Sequence, residues 1–87
     1  MGRNKVTPPD PREAEKAQLW AALHRANPQA HWREITRMRN RILRQGWTLQ
    51  DIQRMSLPDL RTVEGLGEVG ALIVYRYAQQ STERGRQ

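Results

Sequence analysis

An all-α fold, a small domain of five helices, is what the 87-residue chain predicts, and three observations predict it. Apolar residues recur at helical spacing in the longer segments, no window alternates as a half-buried strand does, and helix-ending residues separate the apolar runs. A chain this short buries only about 60% of its unfolded surface, which allows one modest core. Cysteine is absent, and His24 and His31 alone do not complete a zinc site. Stability has to come from helix packing.

Residues 1–10 carry Arg3, Lys5 and Pro8-Pro9 with almost nothing apolar, which predicts a flexible basic arm. Asp10 is suited to cap a first helix, with Pro11 at its first position and Glu13 in its first turn. Leu19, Trp20, Leu23 and Ala26 continue at helical spacing until Asn27-Pro28 stops the helix. A second helix is expected from about Gln29 to Gln45, with Gly46 as its left-handed stop. At 100° per residue, Trp32, Ile35, Met38, Ile42 and Leu43 form one stripe of this helix, and Arg33, Arg37, Arg41 and Arg44 fall within an arc of about 80° opposite it. Arg39 points toward the apolar side, so its stem should lie across the core edge.

Beyond Gly46 the elements shorten. Thr48 with Asp51, and Ser56 with Asp59, have capping-box spacing and predict helices near 49–54 and 57–62; Pro58 in a first turn loses no hydrogen bond. A last helix over about 68–80 should bury Val69, Leu72, Ile73, Tyr75 and Ala78, and the polar residues 81–87 should form a disordered tail. The ordered domain is therefore expected to span 11–80. Trp20, Trp32 and Trp47 are each placed to pack in the core, and His24 and His31 read as surface or core-edge residues.

The net charge of +6 divides unevenly: residues 1–46 hold ten Lys/Arg against four Asp/Glu, and residues 47–87 hold five of each. An excess confined to one half implies either a polyanionic partner, of which nucleic acid is the commonest inside a cell, or a solubility device. No apolar run approaches the roughly 20 residues a membrane span needs, and no secretory signal opens the chain, so a cytoplasmic location without a membrane partner is expected.

The segment Val63-Glu64-Gly65-Leu66-Gly67 suits a tight turn whose glycines allow positive φ and whose Leu66 plugs into the core, followed by a helix packed closely through Ala71. This pattern resembles the helix-hairpin-helix family, with the motif at about 57–80. Over roughly residues 37–78, Thr48-Leu49, Asp51-Ile52, Met55-Ser56, Asp59-Leu60 and Leu66-Gly67 are similar to the C-terminal domain of the bacterial RNA polymerase α subunit, itself a variant of that family. The resemblance implies DNA binding. Allowing one deletion near Gly46, Arg37 and Asn40 fall where the family carries an Arg and an Asn that contact the minor groove. The chain departs from the family after the turn, where Glu68, Val69 and Gly70 replace the usual basic residues, and Glu64 and Glu68 would repel a phosphate there.

The reading is therefore a non-enzymatic DNA-binding protein, without cofactor, metal or small-molecule substrate, using Arg33, Arg37, Asn40, Arg41, Arg44, Gly65 and Gly67. Arg3 and Lys5 would assist. Five arginines and no lysine from Arg33 to Arg44, four of them on the charged face, suit phosphate, which the planar guanidinium grips in two-pronged fashion. Weak sequence preference is expected, for A·T-rich tracts, where a narrow minor groove attracts arginine. The alternative is an adaptor or inhibitor that docks on RNA polymerase or another transcription protein and has lost phosphate binding at the turn. Structured RNA would use the same arginines. No nucleophile, acid and base come together in the sequence, which argues against catalysis.

Overall fold

Helix ends set the frame of this molecule. The computed structural model describes residues 11–85, whose regular structure is entirely helical: α1 Pro11–Ala26, α2 Trp32–Gln45, α3 Leu49–Gln53, α4 Leu57–Arg61 and α5 Gly67–Gly85. Asp10 and the basic arm lie outside the described residues, as does the end of the expected tail.

Asn27 and Pro28 stop α1 where expected, but α2 begins at Trp32 rather than near Gln29. Pro28 disfavours helical geometry in the residue before it, and the chain turns once, with the Ala30 N–H donating to Asn27 O at 3.0 Å. His31 then caps α2 from an extended conformation, its Nδ1 accepting the Arg33 N–H at 3.1 Å. Histidine is not among the preferred N-cap residues, so composition gave no start signal here. At the other end Gly46 is left-handed (φ 72°), and its N–H and that of Trp47 bond Leu43 O and Ile42 O, a Schellman closure.

Helices as short as α3 and α4 are not stable on propensity alone. Each carries a reciprocal capping box. The Thr48 N–H donates to Asp51 Oδ2 at 2.8 Å and the Asp51 N–H to Thr48 Oγ1 at 3.1 Å; Ser56 and Asp59 repeat the pattern at 3.0 and 3.2 Å. Hydrogen bonds from the cap backbone N–H, and next from the cap side chain, hold both carboxyls below the ordinary aspartate range.

Helix α5 packs against all four other helices, and α1 packs also on α2. The core they enclose comprises Leu23, Ile35, Met38, Ile42, Ile52, Leu60, Leu66, Ala71, Ile73, Val74 and Ala78. Leu66 and Ala71 are fully buried, as the turn pattern predicts. Three expected core residues are not: Trp32 is 58% exposed, Val69 56% and Leu72 37%. On α5, Gly70 faces α2, where an added Cβ would stand 2.7 Å from Met38 Sδ. Turning Gly70 toward α2 brings Val74 and Ala78 inward and swings Val69 and Leu72 outward. Helix α5 also continues to Gly85, so residues 81–85 are helical where a disordered tail was expected. No breaker precedes Gly85 in that stretch.

Two polar side chains tie helices together at the core edge. The Trp20 indole N–H donates to Thr36 Oγ1 at 3.0 Å, tying α1 to α2. Buried Asn27 donates from Nδ2 to Leu23 O and to Ile73 O, both at 3.0 Å, tying the end of α1 to α5. Among the described residues no helix is long and apolar enough to cross a membrane.

Candidate nucleic-acid interface

Helical periodicity turns Arg33, Arg37, Asn40 and Arg44 to the exposed side of α2, with Arg41 half-buried at its margin. The second component is the turn between α4 and α5. Gly65 (φ 92°) and Gly67 (φ 73°) adopt conformations that strain any other residue, and buried Leu66 between them pins the turn to the core.

The turn and the arginine face meet. Arg37 Nη1 donates to Gly65 O at 2.7 Å and Nη2 to Leu66 O at 3.1 Å, while Nη2 and Nε also bond Glu34 Oε1 at 2.7 and 3.1 Å. Arg41 Nη2 donates to Glu64 O, and its guanidinium lies where a Cβ on Gly65 would stand. The turn therefore presents three successive carbonyls to α2, and two of the expected phosphate-binding arginines hold it in place. Arg41 Nε is buried without a hydrogen-bond partner, an unsatisfied donor of the kind that folded proteins rarely retain.

A cleft lined by Arg37, Asn40, Arg41, Arg44 and Gly65 results. Arg44 is exposed, with no hydrogen-bond or ion-pair partner among the described residues. Asn40 Oδ1 accepts from Arg39 Nε and Nη2 at 3.1 and 3.0 Å. Since arginine only donates, this pairing orients the carboxamide and leaves the Asn40 amide hydrogens for an outside acceptor. Arg39 itself is half-buried, as its place near the apolar stripe predicts. Gly67 does not line the cleft; it is the first residue of α5.

Of Glu64 and Glu68, the acids expected to repel phosphate, one is partly offset. Glu68 pairs with Arg61 at 3.7 Å, and Glu34, on the arginine helix itself, offsets Arg37. The Glu34–Arg37 pair was legible in principle from its i, i+3 spacing. At the other end of the ridge the Arg33 guanidinium carbon lies 5.4 Å from the centre of the exposed Trp32 ring, and His31 stacks on that ring at 5.6 Å. A larger groove between α1, the α2–α3 junction and α5 borders Arg44 on another side, with Leu19, Leu43, Trp47 and Tyr77 in its wall.

What this arrangement offers chemically is anion recognition: guanidinium donors and an oriented amide around one cleft. Among the described residues no group of three or more acidic or histidine side chains is placed to hold a metal ion. No protein-family pattern, curated protein or solved structure matches this chain.

Proposed function

We propose that this chain is a small non-enzymatic DNA-binding protein that grips the phosphate backbone or minor groove through the exposed face of α2. The observation that supports this reading is the convergence of Arg37, Asn40, Arg41 and Arg44 with Gly65 on one cleft. The likeness of the α4–turn–α5 segment to helix-hairpin-helix domains, and of residues 37–78 to the polymerase α-subunit domain, adds a transcription-related role. Labour is divided within the face. Arg33, Arg37 and Arg44 present exposed guanidinium groups to phosphates, Asn40 donates from its oriented amide, and Arg41 serves chiefly to hold the turn.

Binding to a short A·T-rich duplex, followed by fluorescence anisotropy across a salt series, tests the reading. Three neutralised phosphates give a salt slope near −2.7, so affinity should fall roughly 40-fold between about 50 and 200 mM salt. Arg33→Ala and Arg44→Ala, which break no turn contact, should each reduce that slope by about 0.9. Binding insensitive to salt sinks the proposal. Competition by an RNA duplex of equal length separates DNA from RNA.

A second reading, docking on a transcription protein such as RNA polymerase, is favoured by one feature: exposed Val69 and Leu72 lie one helical turn apart beside a turn that carries Glu64 and Glu68. Under that reading Leu72→Asp abolishes co-purification of the partner, and wild-type protein shows little affinity for DNA.

A further inference from the structure

We infer that Trp32 is a stacking platform for an unpaired nucleobase, which makes single-stranded DNA the preferred ligand of the α2 face. This rests on the nucleic-acid reading above and narrows it. Tryptophan carries a large π-face, which an exposed and oriented ring offers to a stacking partner. Trp32 is 58% exposed, the most exposed large apolar side chain among the described residues. The other two tryptophans are half-buried, Trp20 with its N–H satisfied by Thr36.

The exposed ring is also held. His31 cannot swing freely because its Nδ1 accepts the Arg33 N–H at 3.1 Å, and its ring stacks on Trp32 with planes 29° apart. Arg33 approaches the indole at 5.4 Å, a cation–π contact at the outer part of its useful range. The indole is thus oriented before any ligand arrives.

Its position on the helix supplies the rest. Trp32 precedes Arg33 and stands about 18 Å from Arg44 along α2, at about 1.5 Å per residue. Trp32 lies about 100° round the helix from Arg33 and in contact with it, so a strand on the arginine ridge that turns over the first turn of α2 sets its phosphates on Arg33, Arg37 and Arg44 and one base on the indole. The base takes the outer position that the Arg33 guanidinium holds, and that guanidinium turns to the adjacent phosphate. Bases within a duplex already have both faces stacked, whereas an unpaired base offers an open π-face at no unstacking cost.

The test uses the full chain with a labelled oligothymidine of roughly ten nucleotides and a duplex of equal length. Wild type should bind the single strand more tightly, with partial quenching of tryptophan emission. Trp32→Ala should weaken single-strand binding by roughly fivefold to a hundredfold and leave duplex binding within about twofold. Trp32→Phe should retain most of the affinity and lose the quenching. Circular dichroism of each variant should match wild type, since the side chain is outside the core. Unchanged single-strand affinity in Trp32→Ala, with wild-type binding intact, overturns the stacking role alone. Failure of wild type to bind either probe overturns the nucleic-acid reading with it.

Discussion

Arg37 on α2 and Gly65 in the turn before α5 lie 28 positions apart in sequence, and the arginine Nη1 donates to the glycine carbonyl at 2.7 Å. The same guanidinium bonds Leu66 O and returns to Glu34, so it joins the arginine face to the turn as one unit. A ligand on α2 is therefore coupled to the geometry of the turn, and the residue most naturally assigned to phosphate contact also has a structural role.

Removing that fork should cost stability as well as affinity. With the Arg37 side chain 44% exposed, the hydrogen bonds to charge are discounted to about 1–2 kcal/mol in total. Arg37→Ala should lower Tm by roughly 5–10 °C in a thermal melt followed by circular dichroism. Arg37→Lys should recover little of this, because an ammonium point charge does not reproduce the planar fork. A melt unchanged from wild type would show that the turn holds itself.

Gly70 offers a test in which the sign depends on the neighbour. An added Cβ would lie 2.7 and 2.8 Å from Met38 Sδ and Cε, within a fully buried contact. Overpacking of this kind costs about 1–3 kcal/mol and outweighs the roughly 1 kcal/mol that alanine gains over glycine in a helix. Gly70→Ala should therefore destabilise wild type by about 1 kcal/mol and stabilise a Met38→Ala background, as read by urea denaturation of the four proteins in a double-mutant cycle.

Asn27 donates two hydrogen bonds from a site only 2% exposed. Asn27→Asp replaces those donors with a carboxylate facing two carbonyl oxygens, and at neutral pH this should cost about 3 kcal/mol or more. Acidification should recover part of the loss, since a protonated carboxyl donates one bond. A variant as stable at neutral pH as wild type would mean that this end of α1 is not tied to α5.

Acid should act on the wild-type protein through α3 and α4. Bonds from the cap residues lower the carboxyls of Asp51 and Asp59 in the folded chain, while in the unfolded chain both titrate near the ordinary value of about 3.9. The unfolded state then binds more protons in this range, so the capping contribution is whole above about pH 5 and is lost as pH falls through the folded-state values. The urea midpoint should be flat from about pH 5 to 7 and decline below pH 4. Asp51→Asn and Asp59→Asn together should make that decline shallower; an unaltered profile would exclude the boxes as its source.

Much of the local structure was legible because the chemistry that sets it is short in range. Gly46 ends α2, and Thr48 and Ser56 cap α3 and α4, each through contacts within a few residues, while the two glycines around Leu66 set the local turn. The arginine face of α2 was legible for the same reason, since periodicity alone places it. The exposure of Trp32 was not, because an aromatic residue beside an apolar stripe becomes core only where a neighbouring helix covers it.

By itself the amino-acid order determined that the chain is helical, where most of its helices stop and which side of α2 is charged. Only the tertiary structure decided that Arg37 and Arg41 reach the turn, that Gly70 lets α5 approach Met38, and that Val69, Leu72 and Trp32 remain outside. Caps and periodicity act between residues a few positions apart. The azimuth of one helix against another is set by close packing between residues some 30 positions apart, which no local pattern records.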